Sequence, residues 1–322
     1  MLRRLESPVS TGLRGHGAAA AFVNEVERGV RVPLPGSGDT AGRFRYLERV
    51  AAADLSVARL LEGHLDAVAI LAEAGRAAPA DAIMGVWAAR SANHTLVAAR
   101  SANGWRITGS KPYASGATTL THALVTAAAD GGDRLFLIDT RETVEPLADT
   151  WQAVGMRESD SPVVEIDAEI DAGAVVGDAG WYVGRPGFWH GAVGVAACWL
   201  GGARAVAAPH TRAPSPHALA HLGAVDAQLA AAEALLGAAA QEIDAAPLLG
   251  GAAAERRARR VRAIIEATAS DTLTRVGRAL GAGPLCHDGA HAQRVADLTV
   301  YLRQSHAEVD LELLGQLVAD SA

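Results

Sequence analysis

Apolar residues recur at helical spacing over 43–75, where Leu47, Val50, Val57, Leu61, Leu65, Val68 and Leu71 fall three, four or seven apart. That period places them on one face and predicts an amphipathic helix, with Asp39-Thr40 as its N-cap and Gly63 as a point of division. Ahead of it, Pro33, Pro35, Gly36 and Gly38 predict a loop. The period then changes to two. Short runs at 83–88, 96–99, 105–108, 123–126, 135–139 and 163–166 read as strands, separated by turn residues such as Asp130-Gly131-Gly132-Asp133. From Gly187 helical spacing returns and stays, in an apolar segment over 187–208 and amphipathic segments over 216–244, 252–281 and 290–318. Breaks fall at Ala246-Pro247 and Gly281-Ala282-Gly283-Pro284. Four long helices with short connections predict an up-and-down bundle. The chain therefore reads as α+β in three parts: an N-terminal helical segment (1–81), a small middle β domain (82–180) and a C-terminal four-helix bundle (181–322).

Composition sharpens this picture. Half of the 322 residues are hydrophobic but only 4% are aromatic, while Ala and Gly abound, so the core is expected to be closely spaced helices with small contact residues. A formal net charge of −7 argues against nucleic acid as a partner. The two cysteines, Cys198 and Cys286, supply neither a disulfide framework nor a zinc motif, which fits a cytoplasmic protein. Met1-Leu2-Arg3-Arg4 is followed by Glu6, Ser7, Pro8, Ser10 and Thr11 rather than an apolar core, so no secretory signal is read there. The 187–208 run is the stretch that imitates a membrane span, but His190, Arg204 and its many Gly and Ala favour a buried helix, and no membrane partner is expected.

Three polar clusters carry weaker readings. Gly36-Ser37-Gly38-Asp39-Thr40-Ala41-Gly42 looks like a phosphate loop but lacks a preceding strand and the dinucleotide spacing, so a plain loop is expected. His217 with His221, and His287 with His291 beside Cys286 and Asp288, have no third ligand at a recognised spacing, so no metal is expected. Glu255-Arg256-Arg257-Ala258-Arg259-Arg260-Val261-Arg262 reads most simply as a solvated helix face, with a docking patch for a CoA or flavin phosphate as the alternative.

The most informative stretch is Gly104-Trp105-Arg106-Ile107-Thr108-Gly109-Ser110-Lys111-Pro112-Tyr113-Ala114-Ser115-Gly116-Ala117. Trp105 and Ile107 alternate with Arg106 and Thr108, a half-buried strand, and Gly109 is expected to turn it into a second strand that projects Tyr113 and Ser115 from one face. An aromatic ring and then a hydroxyl, flanked by glycine, suit the edge of a flat ring system. In this form the segment resembles the flavin-facing strand of the acyl-CoA dehydrogenase superfamily. Trp151-Gln152-Ala153-Val154-Gly155-Met156-Arg157-Glu158-Ser159 resembles the segment closing that family's β domain, and Arg185-Pro186-Gly187-Phe188 opens a helix where the family opens its bundle. The order of all three matches, over roughly residues 42 to 318, although the N-terminal helical part is shorter than the family's.

The resemblance implies a homo-oligomeric FAD flavoprotein acting on a small-molecule acyl substrate, with an electron-acceptor flavoprotein or a flavin reductase as partner. It implies cofactor contacts at Trp87, Tyr113, Ala114 and Ser115. Dehydrogenation needs a carboxylate over the substrate α-carbon. Arg294, Asp297 and Tyr301 resemble the approach to the family's glutamate, but its position falls at about Ser305, next to His306, with Glu308 beyond. The family's second location, near residue 211, has no acid either, because no Asp or Glu lies between Asp178 and Asp226. His306, Ser305 and Glu308 are thus the candidate catalytic residues. Three readings stand: an acyl-CoA dehydrogenase-type oxidoreductase, a two-component flavin monooxygenase with Ser115 and His306 as its polar pair, and a catalytically silent subunit of an active homologue.

Overall fold

The computed structural model describes residues 17–209 and 215–321. The signal-peptide reading at the N-terminus and the family's second acid location near 211 lie outside them. The helical segment contains α1 (Ala18–Glu27), α2 (Thr40–Ala53) and α3 (Leu55–Glu73). The one helix expected over 43–75 is therefore two, and the break is at Asp54, not Gly63. Asp54 is extended (φ −157°) and its carboxylate accepts from Val57 N, so it ends α2 and caps α3. Asp39 caps α2 in the same way through Gly42 N, as the sequence predicts.

Two four-stranded sheets follow, formed by β1 (Met84–Trp87), β2 (Leu96–Arg100), β3 (Gly104–Lys111), β4 (His122–Ala127), β5 (Arg134–Asp139), β6 (Val144–Pro146), β7 (Val164–Asp171) and β8 (Val175–Val176), with a single helical turn, α4 (Thr140–Thr143), between β5 and β6. One sheet runs β1-β4-β5-β8, with β1 and β4 parallel, and the other runs β2-β3-β7-β6, all antiparallel. In β3, Trp105 and Ile107 are buried while Arg106 and Thr108 are exposed, the alternation read from sequence. Gly109 makes no turn. It sits inside β3, opposite Leu96 and Ile166, with φ +121°, and its backbone presses against the Thr95 carbonyl where no side chain fits. The turn lies upstream, at Ser101–Asn103, joining β2 to β3.

After a short turn, α5 (Trp181–Gly184), the bundle comprises α6 (Pro186–Ala207), α7 (Pro216–Ala245) and α8 (Gly251–Leu280), then α9 (Gly283–His287), α10 (Gly289–Tyr301) and α11 (Glu308–Ala319). Helix α6 is the central element: 14 of its 22 residues are buried, against α2, α3, α8 and α10. It is core, as expected, whereas among the described residues α7 is the helix long and apolar enough to cross a membrane by length and composition. The last amphipathic segment is not continuous, because a 3-10 turn (Leu302–Gln304) and Ala307 at φ +46° separate α10 from α11. The basic run on α8 is not a solvated face. Arg257 is buried, Arg259 pairs with Glu255 and Asp310 and covers the Trp189 ring, and Arg262 lies 4.5 Å over Trp199.

Candidate active site

Strand β3 delivers Lys111 into the interior. Its Nζ donates to the carbonyl and the hydroxyl of Thr126 on β4, both at 2.8 Å, and so ties the two sheets together. Burial lowers the Lys111 pKa to about 8, against a weaker upward pull from Asp133. The strand ends there. Tyr113 and Ser115 are not on a second strand but in a loop, with Tyr113 at φ +57° and its ring exposed. A matching loop, 151–163, holds it: Ala114 N donates to Pro162 O, and Gly116 N to the carbonyls of Ser159 and Asp160. That second loop has its own left-handed residues, Met156 and Asp160.

Three serines meet where the loops touch. Ser161 Oγ donates to Ser115 Oγ at 2.8 Å and lies 2.9 Å from Ser159 Oγ, which reaches the Met156 carbonyl. With Ser161 as donor, the Ser115 hydroxyl keeps its own proton for a ligand. Trp87 is 1% exposed and donates from Nε1 to the Ser115 carbonyl at 3.0 Å. It positions Ser115 and has no face free for a cofactor. Ala114 is fully buried and its N–H is committed to Pro162. Of the four expected cofactor residues, only Tyr113 is exposed, and Ser115 is buried but lines a pocket.

Ser115 lies at the end of a cleft lined by Arg59, Leu60 and Gly63 of α3, Met84, Gly85 and Val86 around β1, and Leu120. The pocket has a volume of about 10 Å³, room for one water-sized group. Arg59 Nη1 donates to Glu62 Oε2 at 2.9 Å. Behind that pair is a charged interior that the sequence reading missed. Burial raises the Glu62 carboxyl to about 7, opposed by Arg59, reinforced by Asp66 and opposed again by Arg43 and Arg262. Tyr301 and Cys198 close the cluster, both pushed up by burial.

The expected catalytic residues lie elsewhere. His306 is exposed, its backbone N donating to Asp310 Oδ2 at 3.0 Å, and Asp310 is bound by Arg259 of α8 at 2.6 Å. Ser305 accepts from Ala307 N, and Glu308 opens α11 in solvent. Among the described residues none of the three bonds to Tyr113, Ser115 or Arg59. The cause is the break at 302–307, which turns the chain outward just after Tyr301, the residue α10 does send inward.

The other polar clusters resolve in physical terms. In the Gly36–Thr40 loop, Gly38 N, Thr40 N and Thr40 Oγ1 all donate to the Asp244 carboxylate at 2.6–3.0 Å, so an internal acid fills the anion cradle. Among the described residues no three His, Cys, Asp or Glu side chains group as metal ligands. Both cysteines are free.

No family model matches this sequence, and neither does any curated protein. Solved structures do. KijD3 in complex with FMN and dTDP-3-amino-2,3,6-trideoxy-4-keto-3-methyl-D-glucose is similar at 22% identity and TM-score 0.77, over 96% of this chain and 85% of that one. TdsC from Paenibacillus sp. A11-2, with FMN and indole, is similar at 19% identity and TM-score 0.77, over 95% and 96%. A nitrososynthase from Micromonospora carbonacea var. africana is similar at 21% identity and TM-score 0.75, over 94% and 88%. At such identities the likeness is one of fold. Helices, two small sheets and a closing bundle in this order give the chain the acyl-CoA dehydrogenase-like fold.

Proposed function

We propose that this chain is a flavin-dependent oxidoreductase, working as the oxygenase component of a two-component monooxygenase. The observation that carries the choice is the position of Glu308. It is exposed at the start of α11, outside the Ser115 cleft, so α,β-dehydrogenation of an acyl thioester lacks its carboxylate there. Similar folds support the oxygenase side: TdsC is a dibenzothiophene monooxygenase, and XiaF from Streptomyces sp. binds FADH2.

The flavin would lie against Tyr113 and Ser115, with Tyr113 packing on the ring and the free Ser115 proton donated to a ring acceptor. Both flavin forms fit this reading, FAD as the sequence suggests and FMN as in KijD3 and TdsC. When bound, the flavin supplies electrons to dioxygen. The chain's part is to orient the ring through the Trp87–Ser115–Ser161 bonds and to keep water from the cleft with Leu60, Met84 and Leu120. A flavin reductase is the partner this requires. Second copies of the chain would cover α11, which buries no residue and exposes Val309, Leu311 and Val318. A cytoplasmic setting fits the free thiols.

The deciding experiment supplies the purified protein with FMN or FAD, a flavin reductase and NADH, and follows oxygen uptake and peroxide release. Retention of the reduced flavin, with peroxide release slowed relative to flavin and reductase alone, supports the oxygenase. Anaerobic bleaching of bound flavin by an acyl-CoA would restore the dehydrogenase reading. A protein that binds neither flavin is the silent subunit.

A further inference from the structure

We propose that Arg59 is the substrate anchor of the cleft, its guanidinium receiving a carbonyl or carboxylate oxygen of a compact polar substrate. The inference rests on reading the cleft as the substrate side of a flavin site. Arg59 is the cation on the cleft wall, only 16% exposed, and carries five N–H donors. One hydrogen bond to protein, to Glu62, uses a single donor. Arg59 shares the pocket wall with mostly apolar neighbours such as Leu60, Met84 and Leu120, where an acceptor that meets a guanidinium N–H gains more than it would in water.

Size sets the limit. The pocket holds about one water-sized group, so it takes one oxygen or the edge of a carboxylate, and the rest of the substrate stays outside it. A long acyl chain has no place there. Glu62, which accepts from Nη1, is a positioning residue that fixes the fork.

Calorimetry with benzoate, and with benzylamine as its cationic counterpart, tests the assignment on the intact protein, with and without flavin. Benzoate binding is expected, and benzylamine binding of equal strength would overturn the proposal. Arg59→Gln should weaken benzoate about tenfold or more, and Arg59→Lys less, because the charge stays but the fork is lost. Glu62→Gln should tighten benzoate by leaving the guanidinium less neutralised. A merely structural arginine predicts the opposite, weaker binding in every variant. Should Arg59→Gln fail to fold, the benzoate-to-benzylamine comparison and Glu62→Gln still decide. Protein that turns over flavin but ignores benzoate refutes the anchor alone. Protein that binds benzoate but never flavin refutes the oxidoreductase alone.

Discussion

The joint between the β domain and the bundle rests on Gly155, and Gly155→Ala is the perturbation that measures it. Gly155 is buried against α10, and an added methyl would sit 2.8 Å from Asp297 N and closer still to the Ala296 carbonyl. Ordinary contact needs about 3.5 Å, so the loop must retreat from the Ala296 carbonyl by about 1.5 Å. Next door, Met156 N donates to Asp297 Oδ1 at 2.5 Å, and that retreat stretches the pair beyond a normal hydrogen bond. Overpacking costs about 1 to 3 kcal/mol and the strained charged hydrogen bond about 1 to 2 more, so the net loss is about 2 to 5 kcal/mol. Gly277→Ala is the control. It lies in α8 with nothing within 4 Å of the added methyl, and helix propensity should there give about 0.5 to 1 kcal/mol of stabilisation. Urea unfolding of both variants reads the difference directly. The same loop carries Ser159 and Ser161, so Gly155→Ala should also lose flavin at concentrations that saturate the parent. If the two alanines shift the midpoint in the same direction, the close approach is not real.

Other consequences are open to measurement. Lys111 has a folded-state pKa of about 8 against 10.5 unfolded, so between these values the unfolded chain holds a proton the folded one has shed. Stability should therefore rise with pH across that window, by about 3 kcal/mol in all, and Lys111→Met should flatten the rise in pH-dependent unfolding. Asp244→Ala strands Gly38 N and Thr40 N and should cost about 2 to 3 kcal/mol; an unchanged melting temperature would remove Asp244 from its role as the internal anion. Trp87→Phe keeps the packing but drops the bond to the Ser115 carbonyl, so flavin affinity should fall about tenfold by fluorescence titration. Equal affinity would mean that Ser115 needs no such support.

The fold was legible because its signals are periodic. Alternation in Trp105–Thr108 and the three-and-four spacing after Gly187 each outlast local exceptions, and Asp39 announced the start of α2. Asp54 hid in plain view: an acid between two apolar runs reads as one more polar position on a long helix until its cap to Val57 is seen. The site was only half readable. Tyr113 and Ser115 were expected on a second strand and lie on a loop, which is shaped by Ser159 and Asp160, more than forty residues away, and long-range pairing leaves no local trace. The helix break that leaves His306 exposed was hidden for a similar reason, since no residue in 302–307 is a strong helix breaker. Arg59, Glu62 and Asp66 did leave a signal. They share the α3 face that carries Ile70 into the core, and charges on a buried stripe are the pattern to search for.

Tyr113, Met156 and Asp160 are three non-glycine residues with left-handed backbones, all on the two loops that meet at the serines. Such conformations cost about 1 to 3 kcal/mol each and persist only where surrounding bonds enforce them. The loops behave as a loaded spring, held by α10 on one side and by Lys111 on the other. Glycine at these positions would relieve the load, and the protein could become harder to melt. It would also let the tyrosine ring swing. A programme of thermal stabilisation that works residue by residue would find these sites early, and would trade away the aim of the ring for each degree gained.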